Sequence, residues 1–442
     1  MIKRNIFTGI ALGAAMTALT ATSGFAQQAP GGDRLLDVIV VMDEGFAPGG
    51  HAANQAAAAN FARGLGVAPR HAYGTALFGF SASVPQAVMD ALENNPRVKY
   101  VELDGTAFAN APKKCSQDDT LPGCGGDGGG EDPAPPLSDQ EIPWGISRTG
   151  ADTHANTGAG IHAYVLDTGI DLDHADLIAN LGNSVNCTGG RGGRFATLTC
   201  EPGGNDGNGH GTHVAGTIGA ADNAIDVVGV APDVTLHAVQ VLKSSGSGSF
   251  SGIIAGIDWV TDNGSKPSVI NMSLGGTGSK TGNCINGSFS GSDAFHEAIC
   301  NASDTGVVFV VAAGNEDDYA ANHVPAAYND TVIAVSATDI SDDWPFWSNF
   351  GDDVAIAAPG VGILSTWNDG GLNTISGTSM ASPHVAGAVA LWLDANPDQV
   401  ADFSAYTSAR AALLDTAEPT AGEFSNTSGN PHTENFLDAG AL

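Results

Sequence analysis

Apolar and polar positions along the chain follow two successive patterns. Leu36-Asp37-Val38-Ile39-Val40-Val41 is a short apolar run that predicts a strand, and the Ala-rich stretch from His51 to Leu65 predicts a helix. Tyr73 to Val84 alternates around a Gly-Phe bend, Pro85 to Leu92 predicts a second helix, and Val98 to Glu102 predicts a closing strand. That order predicts a small split βαβ, ferredoxin-like α+β domain over residues 27–110. From about Ile142 onward, β-branched runs alternate with helical stretches. His162 to Leu166, Thr235 to Val239, Ser268 to Met272, Val307 to Val311 and Val332 to Val335 predict strands. Gly211 to Gly219, Ser251 to Thr261, Ser292 to Ser303 and Ser382 to Leu393 predict helices. Strands apolar on both faces and separated by helices predict an α/β fold over residues 139–442, a mostly parallel sheet flanked by helices. In such sheets the chemistry gathers outside the carboxyl ends of the strands.

Two further segments are not part of either unit. Lys3 and Arg4 precede the apolar stretch Ile6 to Thr22, and Gly24-Phe25-Ala26 is a small-residue site before Gln27. This predicts a signal peptide over residues 1–26 and a secreted, extracellular protein with no membrane span. Residues 111–138, rich in Gly, Asp, Pro and Lys, predict an exposed arm. Cys115, Cys124, Cys187, Cys200, Cys284 and Cys300 fall as three local pairs. In an oxidising compartment, nearest-neighbour disulfides are the simplest of the connectivities open to six cysteines.

Charge narrows the field of partners. Sixteen Lys and Arg stand against 48 Asp and Glu, a formal charge of −32. Such a polyanion lacks the cations that phosphate neutralisation needs, which excludes nucleic acid as a partner. It favours a solvated monomer.

Three segments carry the candidate chemistry. Val165-Leu166-Asp167-Thr168-Gly169 ends a buried strand on a carboxylate. Asn208-Gly209-His210-Gly211-Thr212-His213 places an imidazole between glycines at a helix start. Gly377-Thr378-Ser379-Met380-Ala381-Ser382-Pro383 places a serine at another, ahead of a proline expected in the first helical turn. A serine hydroxyl needs an imidazole to take its proton and a buried carboxylate to orient that imidazole. The alternative chemistry is an aspartic dyad, since Asp167-Thr168-Gly169 and Asp304-Thr305-Gly306 are both DTG triplets.

The Asp, His and Ser motifs resemble those of the subtilisin-like serine proteases, the subtilases. Leu364-Ser365-Thr366-Trp367 through Ile375 to His384 is similar to the proteinase K branch. The resemblance runs from about Gln140 to the C-terminus. It implies a serine endopeptidase of broad specificity acting on proteins and peptides, with a mild apolar or aromatic preference. Asp167 would orient the base, His210 would be general base and acid, and Ser379 the nucleophile, while His213 would be a core residue. Asn315, in Ala312-Ala313-Gly314-Asn315-Glu316, and the Ser379 backbone N–H would form the oxyanion hole. Gly246-Ser247-Gly248 and Ser273-Leu274-Gly275-Gly276 would pair with an extended substrate backbone.

The resemblance further implies structural calcium. The carbonyls of Ala221, Ile225 and Val227, the side chains of Asn223 and Gln140, and the Asp176 carboxylate would hold it. At a second family site Ala355 stands where an Asp is expected. The front domain resembles the subtilase propeptide, an intramolecular inhibitor in that family. Its spacing implies self-cleavage at Asn110-Ala111.

Overall fold

In a computed structural model the described residues are 34–109, 134–189, 199–399, 401–421, 424 and 426–442. The predicted leader, the Asn110-Ala111 bond, and Cys115 and Cys124 lie outside them. The front unit runs β1 (Leu35–Met42), α1 (His51–Gly64), β2 (Pro69–Tyr73), β3 (Gly79–Pro85), α2 (Gln86–Glu93) and β4 (Val98–Leu103). Its sheet has the order β2-β3-β1-β4, and both neighbours of β1 are antiparallel to it. Strand β1 explains how this sheet is used. Val38, Val40 and Met42 pack with Ala58, Ala62 and Phe80 in the unit's own core. Ile39 and Val41, on the opposite face, join the core of the larger unit. A strand buried on both faces reads as a continuous apolar run, which is how β1 reads.

The larger unit contains β6 (His162–Asp167), α3 (His210–Gly219), β7 (Thr235–Gln240), β8 (Ser247–Ser249), α4 (Phe250–Asn263), β9 (Ser268–Met272), α5 (Ala294–Ser303), β10 (Val307–Ala312), β11 (Val332–Thr338), β12 (Ile356–Pro359) and α6 (Thr378–Ala395). Strand β5 (Thr106–Phe108) ends the front unit and pairs with β8. The central sheet has the order β12-β11-β10-β9-β6-β7, all parallel, with the short strands Val185–Asn186 and Glu201–Pro202 beyond β7. Alternation along β6 assigns the layers. Ala163 and Val165 face α3 and α6, while Tyr164 and Leu166 face α4 and α5. The chain leaves β6 for β7 on one side and returns for β9 on the other. That reversal opens a crevice at the carboxyl end of β6, where Asp167 lies.

Disulfides join Cys187 to Cys200 and Cys284 to Cys300, the local pairs expected. Among the described residues no helix is long and apolar enough to cross a membrane.

Candidate active site

Asp167 is the last residue of β6 and is fully buried. Its Oδ1 accepts from the Thr168 N–H at 2.6 Å and from His210 Nδ1 at 2.8 Å. This hydrogen bond puts the imidazole proton on Nδ1 and leaves Nε2 as the basic lone pair. His210 opens α3, and the glycines around it are steric requirements. A Cβ on Gly209 (φ +112°) would run into the Trp367 ring, and one on Gly211 would strike the Gly169 carbonyl. Burial resists charging of His210, but the adjacent Asp167 outweighs it and raises the pKa above the ordinary 6.5. His213 differs. Burial pushes it down to about 3, and its Nε2 bonds the Ile363 carbonyl at 2.9 Å.

Ser379 is the second residue of α6. Pro383 therefore sits inside the helix, not in its first turn as expected. A proline there has no N–H to offer the carbonyl four residues earlier, which is that of Ser379. Ser273, just past β9, replaces that donor: its hydroxyl donates to the Ser379 carbonyl at 2.7 Å. Asn271 Nδ2 holds the Ser273 hydroxyl at 2.9 Å, and the Ser382 hydroxyl donates to Asn271 Oδ1 at 2.7 Å. The turn that bears Ser379 is thereby tied to the end of the sheet. The Ser379 hydroxyl rests on the Ser273 carbonyl at 3.2 Å, and His210 Nε2 carries no hydrogen bond.

Asn315 follows β10. Its side-chain oxygen accepts from both the N–H and the hydroxyl of Thr378, each at 2.9 Å. That orients the amide nitrogen toward Ser379. A Cβ built on Gly377 would lie 3.5 Å from Asn315 Nδ2 and 3.6 Å from the Ser379 N–H, so both donors border one small space that the glycine leaves open. Two donors converging beside a serine suit the binding of an oxyanion.

The tail of the front unit lies in this site. Ser247, Gly248 and Ser249 pair antiparallel with Phe108, Ala107 and Thr106. The Ala109 N–H donates to the Gly246 carbonyl at 2.9 Å. Phe108 and Gly275 exchange both backbone bonds, at 2.9 and 3.2 Å. The tail is thus a strand held between the two segments expected to bind substrate, with Ala107 fully buried among Val241, Ile253 and Leu274.

The front unit grips the larger one through carboxylates. Asp104 accepts from Ser251 at the start of α4 (N–H 2.9 Å, hydroxyl 2.6 Å) and Glu102 from the Ala294 N–H at the start of α5 (3.1 Å). In the other direction, Asp258 on α4 receives the backbone N–H groups of Gly74, Thr75 and Ala76 at 2.7–3.0 Å. Glu297 on α5 takes Lys99 and Tyr100 at 2.7 and 2.6 Å. Sequence reading missed these, and it missed the bond from Ser273, expected only as a substrate-pairing residue, to the Ser379 carbonyl. A proline four residues after the serine was the available signal for a carbonyl needing another donor.

The calcium-type residues also come together. Asp176 is fully buried and receives the Asn223 amide at 2.7 Å and the Val227 N–H at 3.1 Å. Gln140 donates to the Ala221 and Val227 carbonyls at 2.9 and 3.3 Å, and the Ile225 N–H folds onto Asn223. The aspartic dyad, by contrast, does not form. Asp167 ends β6, whereas Asp304 precedes β10, parallel to it. By strand register they are roughly 25 Å apart.

Residues 158–437 match the model of the subtilase family. The extracellular serine proteinase of Thermus sp. (strain Rt41A) is 41% identical over 350 residues, covering 76% of this chain and 72% of that protein. Subtilisin DY of Bacillus licheniformis is 42% identical over 264 residues, 58% of this chain and 86% of that one. A solved cold-adapted subtilisin-like serine proteinase superposes with a TM-score of 0.55 at 36% identity, covering 68% of this chain and 98% of its own. A family match over most of the chain and relatives of this identity and coverage leave one assignment: the chain belongs to the subtilase family and is a serine-type endopeptidase.

Proposed function

We propose that the protein is a secreted, self-processing zymogen that hydrolyses proteins with broad specificity through Asp167, His210 and Ser379. The observation that carries this reading is the tail. Phe108 and Ala109 occupy the two substrate-type segments as the acyl side of a peptide would. Asn110, next along the chain, would then be the residue whose carbonyl is attacked, and Asn110-Ala111 the bond cut. The front unit then remains as an inhibitor, held by the carboxylate contacts at α4 and α5.

In the reaction, the Ser379 hydroxyl turns from the Ser273 carbonyl to His210 Nε2, which takes its proton as the oxygen adds to the peptide carbon. Asp167 stabilises the imidazolium. Asn315 Nδ2 and the Ser379 N–H receive the negative oxygen. His210 gives its proton to the departing amine, leaving an acyl-enzyme, and the same base then activates water to release the acid. Main-chain pairing at Gly246–Gly248 and Gly275 reads no side chains, which supports broad specificity.

Asn315→Ala is expected to lower kcat by about 10²–10³ with little change in KM, measured on a peptide anilide. Because His210 must be neutral to act and Asp167 raises its pKa, kcat/KM is expected to fall on an acid limb with its midpoint above 6.5. A midpoint below 6 would contradict this assignment.

Calcium belongs to the same proposal. Burial pushes the Asp176 carboxyl up to about 6, so the site holds a carboxylate that gains from a cation. Asp176, Asn223 and Gln140 with the carbonyls of Ala221, Ile225 and Val227 supply the all-oxygen set that calcium takes. Bound there, calcium would tie residues 137–141 to the 221–227 loop. That segment is already docked while the tail occupies the active site: Ala134 pairs with Leu372 at 2.8 and 2.9 Å, and the Leu137 N–H bonds Asp226 at 2.6 Å. Calcium should therefore stabilise the uncleaved Ser379→Ala chain as well as the mature enzyme. A chelator is expected to lower both thermal midpoints by about 5 °C. Unchanged midpoints would dismiss the site.

A further inference from the structure

Pro383 disturbs α6 at the turn that bears Ser379. It has no N–H, and its ring crowds the carbonyl four residues earlier, so the Ser379 carbonyl loses the donor that an α-helix supplies. Slack is costly at this residue. The hydroxyl, the N–H and the carbonyl of Ser379 all radiate from one Cα, so a turn of the peptide that follows swings the hydroxyl away from His210 and the N–H away from the oxyanion space.

Three side chains take up that slack, and their hydrogen bonds all run one way. The Ser382 hydroxyl donates to Asn271 Oδ1 at 2.7 Å, Asn271 Nδ2 donates to the Ser273 hydroxyl at 2.9 Å, and that hydroxyl donates to the Ser379 carbonyl at 2.7 Å. Receiving from Asn271 leaves the Ser273 proton aimed at Ser379. Asn271 is 1% exposed, and Ser273 and Ser382 are fully buried, so water does not reach this chain to replace a missing member. Ser273 also touches Ser379 a second time, since the Ser379 hydroxyl rests on the Ser273 carbonyl at 3.2 Å. Two residues further on, Gly275 exchanges both backbone bonds with Phe108 of the tail. One short segment therefore holds the serine and the acyl-side strand together.

We propose that Ser273 is a positioning residue for peptide hydrolysis. Its hydroxyl, aimed by Asn271 and Ser382, stands in for the helix donor that Pro383 lacks and fixes Ser379 relative to His210 and to the bound strand. The inference rests on Ser379 being the nucleophile. It makes the need for the Ser273 hydroxyl conditional on the proline: Pro383→Ala would return an N–H facing the same carbonyl, and the hydroxyl would become dispensable.

The test is a double-mutant cycle, with kcat and KM on a peptide anilide for the mature wild-type, Ser273→Ala, Pro383→Ala and doubly substituted enzymes. Ser273→Ala is expected to lower kcat about tenfold, with KM within about twofold of wild type. In the Pro383→Ala background the same substitution is expected to lower kcat less than about twofold. Ser382→Ala, which leaves Ser273 in place but loosens Asn271, is expected to lower kcat about two- to threefold, again only with Pro383 present, and provides a second variant should Ser273→Ala misfold. A hydroxyl that only stabilised the fold would lower the thermal midpoint and leave kcat alone. Equal losses of kcat with and without Pro383, or kcat unmoved by both serine substitutions, would overturn this inference alone. A Ser379→Ala chain as active as wild type would overturn the assignment of the nucleophile with it.

Discussion

Ser379→Ala is expected to be secreted as one uncleaved chain that still carries its front unit, with peptidase activity lower by a factor of about 10⁶. Only the oxyanion donors and binding contacts would remain to accelerate hydrolysis. The alanine keeps the backbone N–H of residue 379 and the carbonyl that Ser273 holds, so the fold should survive. Mass determination of the secreted product checks the first part and a peptide anilide the second. A Ser379→Ala product already shortened at Asn110-Ala111, made in a host without other proteases, would overturn self-cleavage.

Asp167→Asn is expected to have the second largest effect, a loss in kcat of about 10⁴. Asp167 accepts two hydrogen bonds through Oδ1, from the Thr168 N–H and from His210 Nδ1. An amide presenting its nitrogen to His210 would favour the wrong tautomer, with the proton on Nε2 and no base facing Ser379. It would also remove the charge that holds His210 above its ordinary pKa, so the acid limb of kcat/KM should move down. KM should change little, because no substrate contact is lost. A mutant with near wild-type kcat would show that His210 does not depend on this carboxylate.

Much of the framework could be read from residue pattern. The apolar runs at Tyr164 and Val308 predict strands buried on both faces, and the two cores on either side of the sheet contain them. Asp167, His210 and Ser379 stand where strand ends and helix starts should put them, because glycines leave local geometry little choice. Other features depend on contacts between distant segments, which no local pattern carries. The hairpin Gly282–Ile285 with Ser288–Gly291 was not anticipated. Its glycines, serines and asparagines show no alternation; it is fixed by the Cys284–Cys300 disulfide and by Asp330 accepting from the Cys284 N–H. Ser273 looks like one residue of a substrate-binding turn until Pro383 leaves a carbonyl for it to fill. Asp258 looks like a solvated helix residue until three backbone N–H groups of the front unit close over it.

The most direct test of the nucleophile is stoichiometric labelling with a serine-directed phosphonyl fluoride, followed by peptide mass mapping of the mature enzyme. One adduct per chain, on Ser379, with inactivation in step with labelling, is the predicted result. An adduct on another serine, or full activity after Ser379 is modified, would contradict the account.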